Sequence, residues 1–152
     1  MERNSRDCRR RIEVIDANAL AVCEFLRSRS LAASPTPHPV AVKEVYYPCW
    51  VTAEHYERCR VRDPTTGAPT GGYGGLFSLT FVSTEASKAF FDTLPFMKGP
   101  SLGTNFTLAC PYTILAHYAE LDWAAGWGVE EGLVRVSVGM EERGMLLKGA
   151  EG

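Results

Sequence analysis

The chain has 152 residues, of which 45% are hydrophobic and 22% are charged, and its formal net charge is −2 with a sequence pI near 5.9. This length is typical of one domain, and this composition excludes a disordered chain. The slightly acidic charge argues against a nucleic-acid partner, and the basic cluster RDCRRR (residues 6–11) is more typical of a solvated helix face. Since no apolar run is long enough for a membrane span or a signal peptide, we expect no membrane partner.

The cysteines are odd in number and widely spaced, and none forms a CxxC pair. This pattern indicates neither a zinc site nor a disulfide framework, so we expect reduced thiols in a cytoplasmic protein. The residues are Cys8, Cys23, Cys49, Cys59 and Cys110.

Apolar periodicity predicts the first elements of the fold. An apolar stripe at steps of three and four predicts a long amphipathic helix over residues 5–29. The proline-rich segment SLAASPTPHPV (30–40) predicts an exposed connector, VKEVYYP (42–48) a short strand, and residues 53–60 a short helix. The stripe consists of Ile12, Ile15, Ala19, Val22 and Leu26.

A turn-rich stretch, DPTTGAPTGGYGG (63–75), precedes the next predicted strand, GLFSLTFV (75–82). Its alternation predicts burial of the face that carries Phe77, Leu79 and Phe81. The following helix, EASKAFFDTL (85–94), is expected to be capped by Ser83 or Thr84.

The second half of the chain continues this alternation of helices and strands. We predict a loop and strand over 98–111, a helix over 112–123, the strand LVRVSVG over 133–139 and a helical turn from Glu141. Together the elements predict an α/β sandwich in which helices pack on a mostly antiparallel sheet.

The glycine cluster GGYGG (71–75) could in principle let backbone N–H groups approach a phosphate. It matches neither GxGxxG nor GxxxxGK[ST], and a strand follows it where a phosphate loop requires a helix N-terminus. We therefore interpret it as a flexible entry into the strand.

Histidine and cysteine residues suggest only weak catalytic or metal sites. His55 and Cys59 lie four residues apart on a predicted helix, but no further zinc ligands are apparent nearby. His117 and Glu120 are also neighbours on a predicted helix, and this spacing is equally weak evidence for a site. A Cys110 nucleophile with His117 as its base would need the two side chains to meet, and the spacing does not require that contact. We assign no catalytic residue and no metal ligand.

Arg135 is the unusual residue of the strand LVRVSVG. Strand alternation places Arg135 on the face opposite the valines, where it can simply mark the solvated side of the sheet. The alternative is a ligand-binding arginine. The turn GPSLGTN (99–105), with Ser101 and nearby backbone amides, would supply the other groups that recognise a carboxylate.

Three ordered motifs carry a resemblance to a known family: TGGYGGLFS (70–78), GPSLGTNFTLACPYTILAHYAELDWAA (99–125) and GVEEGLVRVSVGMEE (128–142). They resemble the C-terminal domain of the pyridoxal-phosphate-dependent enzymes of cysteine and methionine metabolism. Within this family, the motif sequences are most similar to those of fungal cystathionine γ-synthase-like proteins. The likeness covers about residues 4–146. It implies the small C-terminal domain of a fold-type I enzyme, in which Arg135 binds the α-carboxylate of an amino-acid substrate and Ser101 contacts the same group.

The family holds its cofactor on a lysine in a Ser-x-Thr-Lys context within a larger N-terminal domain, which we expect to be absent from residues 1–152. We therefore expect one domain that neither binds pyridoxal phosphate stably nor catalyses the γ-replacement of O-acylhomoserine by cysteine on its own. γ-Lyase, β-lyase and sulfhydrylase activities remain open alternatives for the whole enzyme. The four lysines outside such a context are Lys43, Lys88, Lys98 and Lys148.

Two other interpretations remain: a non-catalytic module that packs on a full-length paralogue, and one part of a split enzyme. Each implies an exposed apolar surface and a possible oligomer. The candidate surfaces are the face of the first helix opposite Ile12 and Ile15, and the aromatic stretch Trp123–Trp127.

Overall fold

The computed structural model describes residues 2–33 and 40–151, so most of the predicted connector, residues 34–39, lies outside the described residues. Within these ranges no helix has the length and apolar character that a membrane span would need. The elements in chain order are α1 (Glu2–Ser5), α2 (Cys8–Ser28), β1 (Val42–Tyr46), α3 (Ala53–Glu57), β2 (Leu76–Phe81), α4 (Thr84–Thr93), β3 (Met97–Lys98), β4 (Leu108–Pro111), α5 (Tyr112–His117), a 3₁₀ turn (Tyr118–Glu120), α6 (Leu121–Gly126), β5 (Val134–Ser137) and α7 (Arg143–Ala150).

The strands form one sheet in the order β1-β2-β5-β4-β3. All neighbouring pairs are antiparallel except β3 and β4, which are parallel. The predicted α/β architecture with a mostly antiparallel sheet is therefore confirmed. Strand β3 was not predicted, because two residues are too few to show a period of two.

The hydrophobic core lies on the sheet face that carries Phe77, Leu79 and Phe81, all of which are buried as predicted. Helices α2 and α7 pack together over this face, and the ring of Phe90 in α4 packs at a tilt against Phe81 with centroids 5.0 Å apart. Each large side chain buried in this layer contributes about 1.5–3 kcal/mol. The sheet therefore has one strongly apolar face, and its other face is available for polar groups.

The periodic stripe of α2 is buried against this core, with one exception. Ile12 is 47% exposed, because it lies near the N-terminal end of the helix, ahead of the buried segment that begins at Ile15. The apolar surface expected on the opposite face stays a prediction: the exposed positions there include the apolar Ala17 as well as Glu13 and Glu24.

Helix ends depart from the prediction where local hydrogen bonds intervene. Ser83 caps α4 as predicted, its Oγ accepting from the N–H of Ala86 at 3.1 Å. The helix expected over 112–123 is divided instead, because the backbone of His117 and Glu120 leaves helical geometry. The final helical turn is a full helix, α7, and Glu142 caps it by accepting from the N–H of Met145 at 3.1 Å.

Candidate functional site

Arg135 lies on β5, near the centre of the sheet and on the face away from the core. The strand register places it between Ser78 of β2 and Cys110 of β4. Arg135 itself is half-buried, and its neighbours Cys110 and Ser137 are only 2% and 6% exposed. This part of the second face is not the open solvated surface that simple alternation predicts.

Three groups surround the Arg135 guanidinium. One Nη donates a hydrogen bond to the carbonyl of Pro100 at 2.6 Å, and Cζ lies 4.5 Å from the centroid of the Tyr112 ring. The third group is the Cys110 thiol: burial raises its pKa, and the nearby guanidinium opposes that increase. Within residues 2–33 and 40–151, no carboxylate forms an ion pair with Arg135. The guanidinium therefore keeps N–H donors for an external anion.

The loop that carries Ser101 is fastened beside Arg135. Its Pro100 carbonyl accepts from Arg135, and the N–H of Gly103 donates to Ser137 Oγ at 3.3 Å. Gly103 has a φ of +73°, a left-handed conformation that favours glycine. Ser101 lies between these two attachments, is exposed, and forms no side-chain hydrogen bond within the described residues. The structure thus brings both predicted site residues to one place, although no hydrogen bond joins their side chains.

A buried polar network, which the sequence analysis missed, fixes the end of β5 against β4. The N–H and hydroxyl of Thr107 donate to the Glu141 carboxylate at 2.5 and 2.9 Å, and the N–H of Gly139 donates to Thr107 Oγ1 at 2.9 Å. Asn18 of α2 donates to the carbonyls of Gly139 and Glu141 at 3.2 and 3.0 Å. Every polar group named here has a partner, so the network positions β5 rather than binding a ligand.

The glycine cluster is bound by an internal anion. The N–H groups of Gly72 and Gly74 donate to the two carboxylate oxygens of Asp16 at 2.9 and 3.0 Å. A Cβ at Gly72 would lie 2.6 Å from the Asp16 Cβ, so glycine is required for this approach. The entry into β2 is therefore held by Asp16, which corrects the prediction of a flexible segment and supports the rejection of a phosphate loop.

The other histidine and cysteine candidates do not assemble. His117 Nδ1 lies 2.7 Å from Glu120 Oε1, and His55 Nε2 lies 3.4 Å from Glu54 Oε1. In the described part of the chain, no cluster of three or more acidic, histidine or cysteine side chains could hold a metal ion. Cys110 is paired with Arg135 in the strand register, and the two side chains interact.

Two of the four lysines are engaged in contacts elsewhere in the fold. Lys98 Nζ donates to the carbonyls of Phe91 and Leu94 at the end of α4, and Lys43 Nζ pairs with Glu130 at 2.7 Å. The Arg135 guanidinium fits a carboxylate, and the expectation that the cofactor lysine lies outside residues 1–152 stays a prediction.

Known proteins share both the sequence and the fold of this chain. A family model described as Cys/Met metabolism PLP-dependent enzyme matches residues 6–149. A cystathionine gamma-synthase-like enzyme of Amanita muscaria is 56% identical over 159 residues, which cover 99% of this chain and 25% of the relative. The cystathionine gamma-synthase of Neurospora crassa is 46% identical over 141 residues, which cover 93% of this chain and 20% of the relative.

The structural comparison agrees. The crystal structure of cystathionine gamma synthase from Xanthomonas oryzae pv. oryzae in complex with cystathionine matches with a TM-score of 0.74 at 28% identity, covering 98% of this chain and 35% of that one. The chain spans about a quarter of the length of the Amanita relative. These matches confirm the resemblance to fungal cystathionine γ-synthase-like proteins and the fold expected for part of a fold-type I enzyme. The chain belongs to the Cys/Met metabolism family of enzymes that use pyridoxal phosphate as cofactor.

Proposed function

We propose that residues 1–152 form the single domain that binds the α-carboxylate of the amino-acid substrate in a cystathionine γ-synthase-like enzyme. The observation that carries this proposal is the Arg135 guanidinium, which is held by a carbonyl and a ring but has no carboxylate partner among the described residues. An arginine binds a carboxylate through two parallel N–H···O bonds, and hydrogen bonds to charged groups contribute about 1.5–3 kcal/mol each. The carboxylate of the proposed ligand therefore supplies the negatively charged partner that Arg135 does not have among the described residues.

Ser101 is the second proposed contact of the substrate carboxylate. Its hydroxyl is exposed, and the loop on either side of it is fastened to Arg135 and Ser137. A carboxylate held at two points has a fixed orientation, which lowers the entropic cost of reaching the reacting geometry. Loop amides would still contact the carboxylate if the hydroxyl were lost, so Ser101 contributes less than Arg135.

When bound in the whole enzyme, pyridoxal phosphate supplies an electron sink for the substrate. In this proposal residues 1–152 bind the substrate carboxylate, and the lysine that holds the cofactor lies outside them. These residues alone therefore do not catalyse a reaction. For the whole enzyme we propose the γ-replacement of O-acylhomoserine by cysteine, since relatives carry the name cystathionine gamma-synthase. We place the enzyme in the cytoplasm, because all five cysteines are free thiols.

The test reconstitutes the enzyme by joining this chain to the cofactor-binding part of the Amanita muscaria relative. Arg135→Lys keeps the charge but loses the planar two-pronged donor, so kcat/KM for the amino-acid substrate should fall about tenfold or more. Ser101→Ala should lower kcat/KM less. Arg9→Lys is the matched control, because the Arg9 side chain is 91% exposed and its one ion-pair partner among the described residues is Glu13. An unchanged kcat/KM in Arg135→Lys, with an unchanged circular dichroism spectrum, would refute the proposal.

A second candidate function is a non-catalytic module that packs on a full-length paralogue. Trp123 and Trp127 favour it, since they are 59% and 74% exposed and form one aromatic surface with ring centroids 6.2 Å apart. Exposed aromatic surfaces of this kind are common at protein interfaces. If this function is the correct one, Trp127→Ser rather than Arg135→Lys alters the effect of the chain on the activity of such a paralogue.

A further inference from the structure

Tyr112 is built into the strand pair that carries Arg135. It begins α5 directly after β4, and its backbone N–H donates to the carbonyl of Leu133 at 3.0 Å. Leu133 lies two residues before Arg135, so the ring and the guanidinium rest on one rigid unit. The register between β4 and β5 adds a second attachment, because Pro111 pairs with Val134.

Arg135 Cζ lies over the Tyr112 ring, 4.5 Å from the ring centroid. The face of an aromatic ring attracts a cation without acting as a strong hydrogen-bond acceptor, so this contact leaves guanidinium N–H groups available to bind a carboxylate in two-pronged fashion. One Nη also donates a hydrogen bond to the Pro100 carbonyl at 2.6 Å, which restrains the side chain further. An arginine side chain has many rotamers, and these two contacts select among them before any ligand arrives.

The Tyr112 ring also contacts His117, which restrains it further. The imidazole of His117 meets it edge to face, with centroids 5.8 Å apart, and His117 Nδ1 lies 2.7 Å from Glu120 Oε1. Glu120, His117, Tyr112 and Arg135 thus form a continuous series of contacts. A ring that is held in this way cannot swing away from the guanidinium without breaking other contacts.

We propose that Tyr112 is a positioning residue, whose ring holds the Arg135 guanidinium in the orientation that receives the substrate carboxylate. This inference rests on the proposed function of Arg135. Tyr112 acts through Arg135 and does not contact the carboxylate. Its loss therefore weakens substrate binding more than it slows the reaction of substrate that is already bound.

The test uses Tyr112→Leu, which removes the ring, and Tyr112→Phe, which keeps it. In the full 152-residue chain, the Arg135 Nε–Hε signal in an NMR spectrum should carry a ring-current shift that Phe retains and Leu abolishes. In the reconstituted enzyme, Tyr112→Leu should raise KM for the amino-acid substrate roughly fivefold with kcat within about twofold, and Tyr112→Phe should restore KM.

Failure of this inference is distinguishable from failure of the proposed function. If Arg135→Lys lowers kcat/KM but Tyr112→Leu changes neither KM nor the NMR shift, only the role of Tyr112 is refuted. If Tyr112→Phe is as impaired as Tyr112→Leu, stacking is not the cause and the inference also falls. An unchanged kcat/KM in Arg135→Lys refutes both. Should Tyr112→Leu not fold, the absence of a ring-current shift on Arg135 in the unsubstituted chain is sufficient to overturn the inference.

Discussion

Replacing Asp16 should destabilise the whole fold, because its carboxylate joins α2 to the glycine-rich entry of β2. Asp16 is 9% exposed and accepts from the N–H groups of Gly72 and Gly74 at 2.9 and 3.0 Å. Hydrogen bonds to charged groups contribute about 1.5–3 kcal/mol each, and partial rehydration of the loop amides recovers some of this free energy. We expect Asp16→Ala to lower the free energy of unfolding by about 2–4 kcal/mol, and Asp16→Asn, which keeps one acceptor oxygen, by about half as much.

Urea unfolding and calorimetry measure this effect, and for a chain of this size the larger loss corresponds to a decrease in Tm of roughly 5–15 °C. The matched control is Glu13→Ala, three residues earlier on the same helix, where an exposed pair with Arg9 at 3.2 Å should change stability by less than about 0.5 kcal/mol. Hydrogen exchange adds a local readout, because the amides of Gly72 and Gly74 should lose protection in Asp16→Ala. The reasoning is refuted if Asp16→Ala is as stable as Glu13→Ala, or if these two amides are unprotected in the unsubstituted chain.

Two further predictions concern titration and thiol reactivity. A hydrogen bond from Arg60 at 2.6 Å lowers the pKa of Glu57 below 4.5, so its carboxylate stabilises the fold above that pH, and this contribution is lost as the pH falls through the folded-state pKa. The difference in unfolding free energy between the unsubstituted chain and Glu57→Gln should therefore shrink as the pH falls from 7 through the folded-state pKa of Glu57; a constant difference would contradict this. Cys8 and Cys59 are exposed and should react with iodoacetamide in the native state, whereas burial raises the pKa of Cys23, which should react only after unfolding. Mass spectrometry over time distinguishes these thiols, and labelling of native Cys23 at the rate of Cys8 would show that it is not buried.

The elements that the sequence predicted are those with a local repeating signal. The stripe from Ile15 to Leu26 and the alternation around Phe77 depend on residues two to four apart, so periodicity is sufficient to find them. Helix α5 ends at His117, where nothing in an apolar pattern indicates the contact between His117 and Glu120. Asp16 lies on the buried side of α2, which was a usable signal, but its partners are 56 and 58 residues away along the chain.

The candidate site also combines features that the sequence predicted with features that depend on contacts between distant residues. Alternation predicted the face on which Arg135 lies, and the resemblance implied its partnership with the Ser101 loop. The contact that brings this loop to Arg135 spans 35 residues, and the support of β5 by Thr107 and Glu141 spans 34. Tyr112 gave no sequence signal, because an aromatic residue at the start of a helix is usually explained by packing. Such contacts arise from the order of strands in the sheet and not from any local pattern.

The most direct test of the central claim is a crystal structure of the reconstituted enzyme with cystathionine bound. We predict that the oxygens of one of the two α-carboxylates of cystathionine lie about 2.7–2.9 Å from guanidinium nitrogens of Arg135, beside the loop of Ser101. A carboxylate bound by a different cation, with Arg135 still donating only to the carbonyl of Pro100, would contradict it.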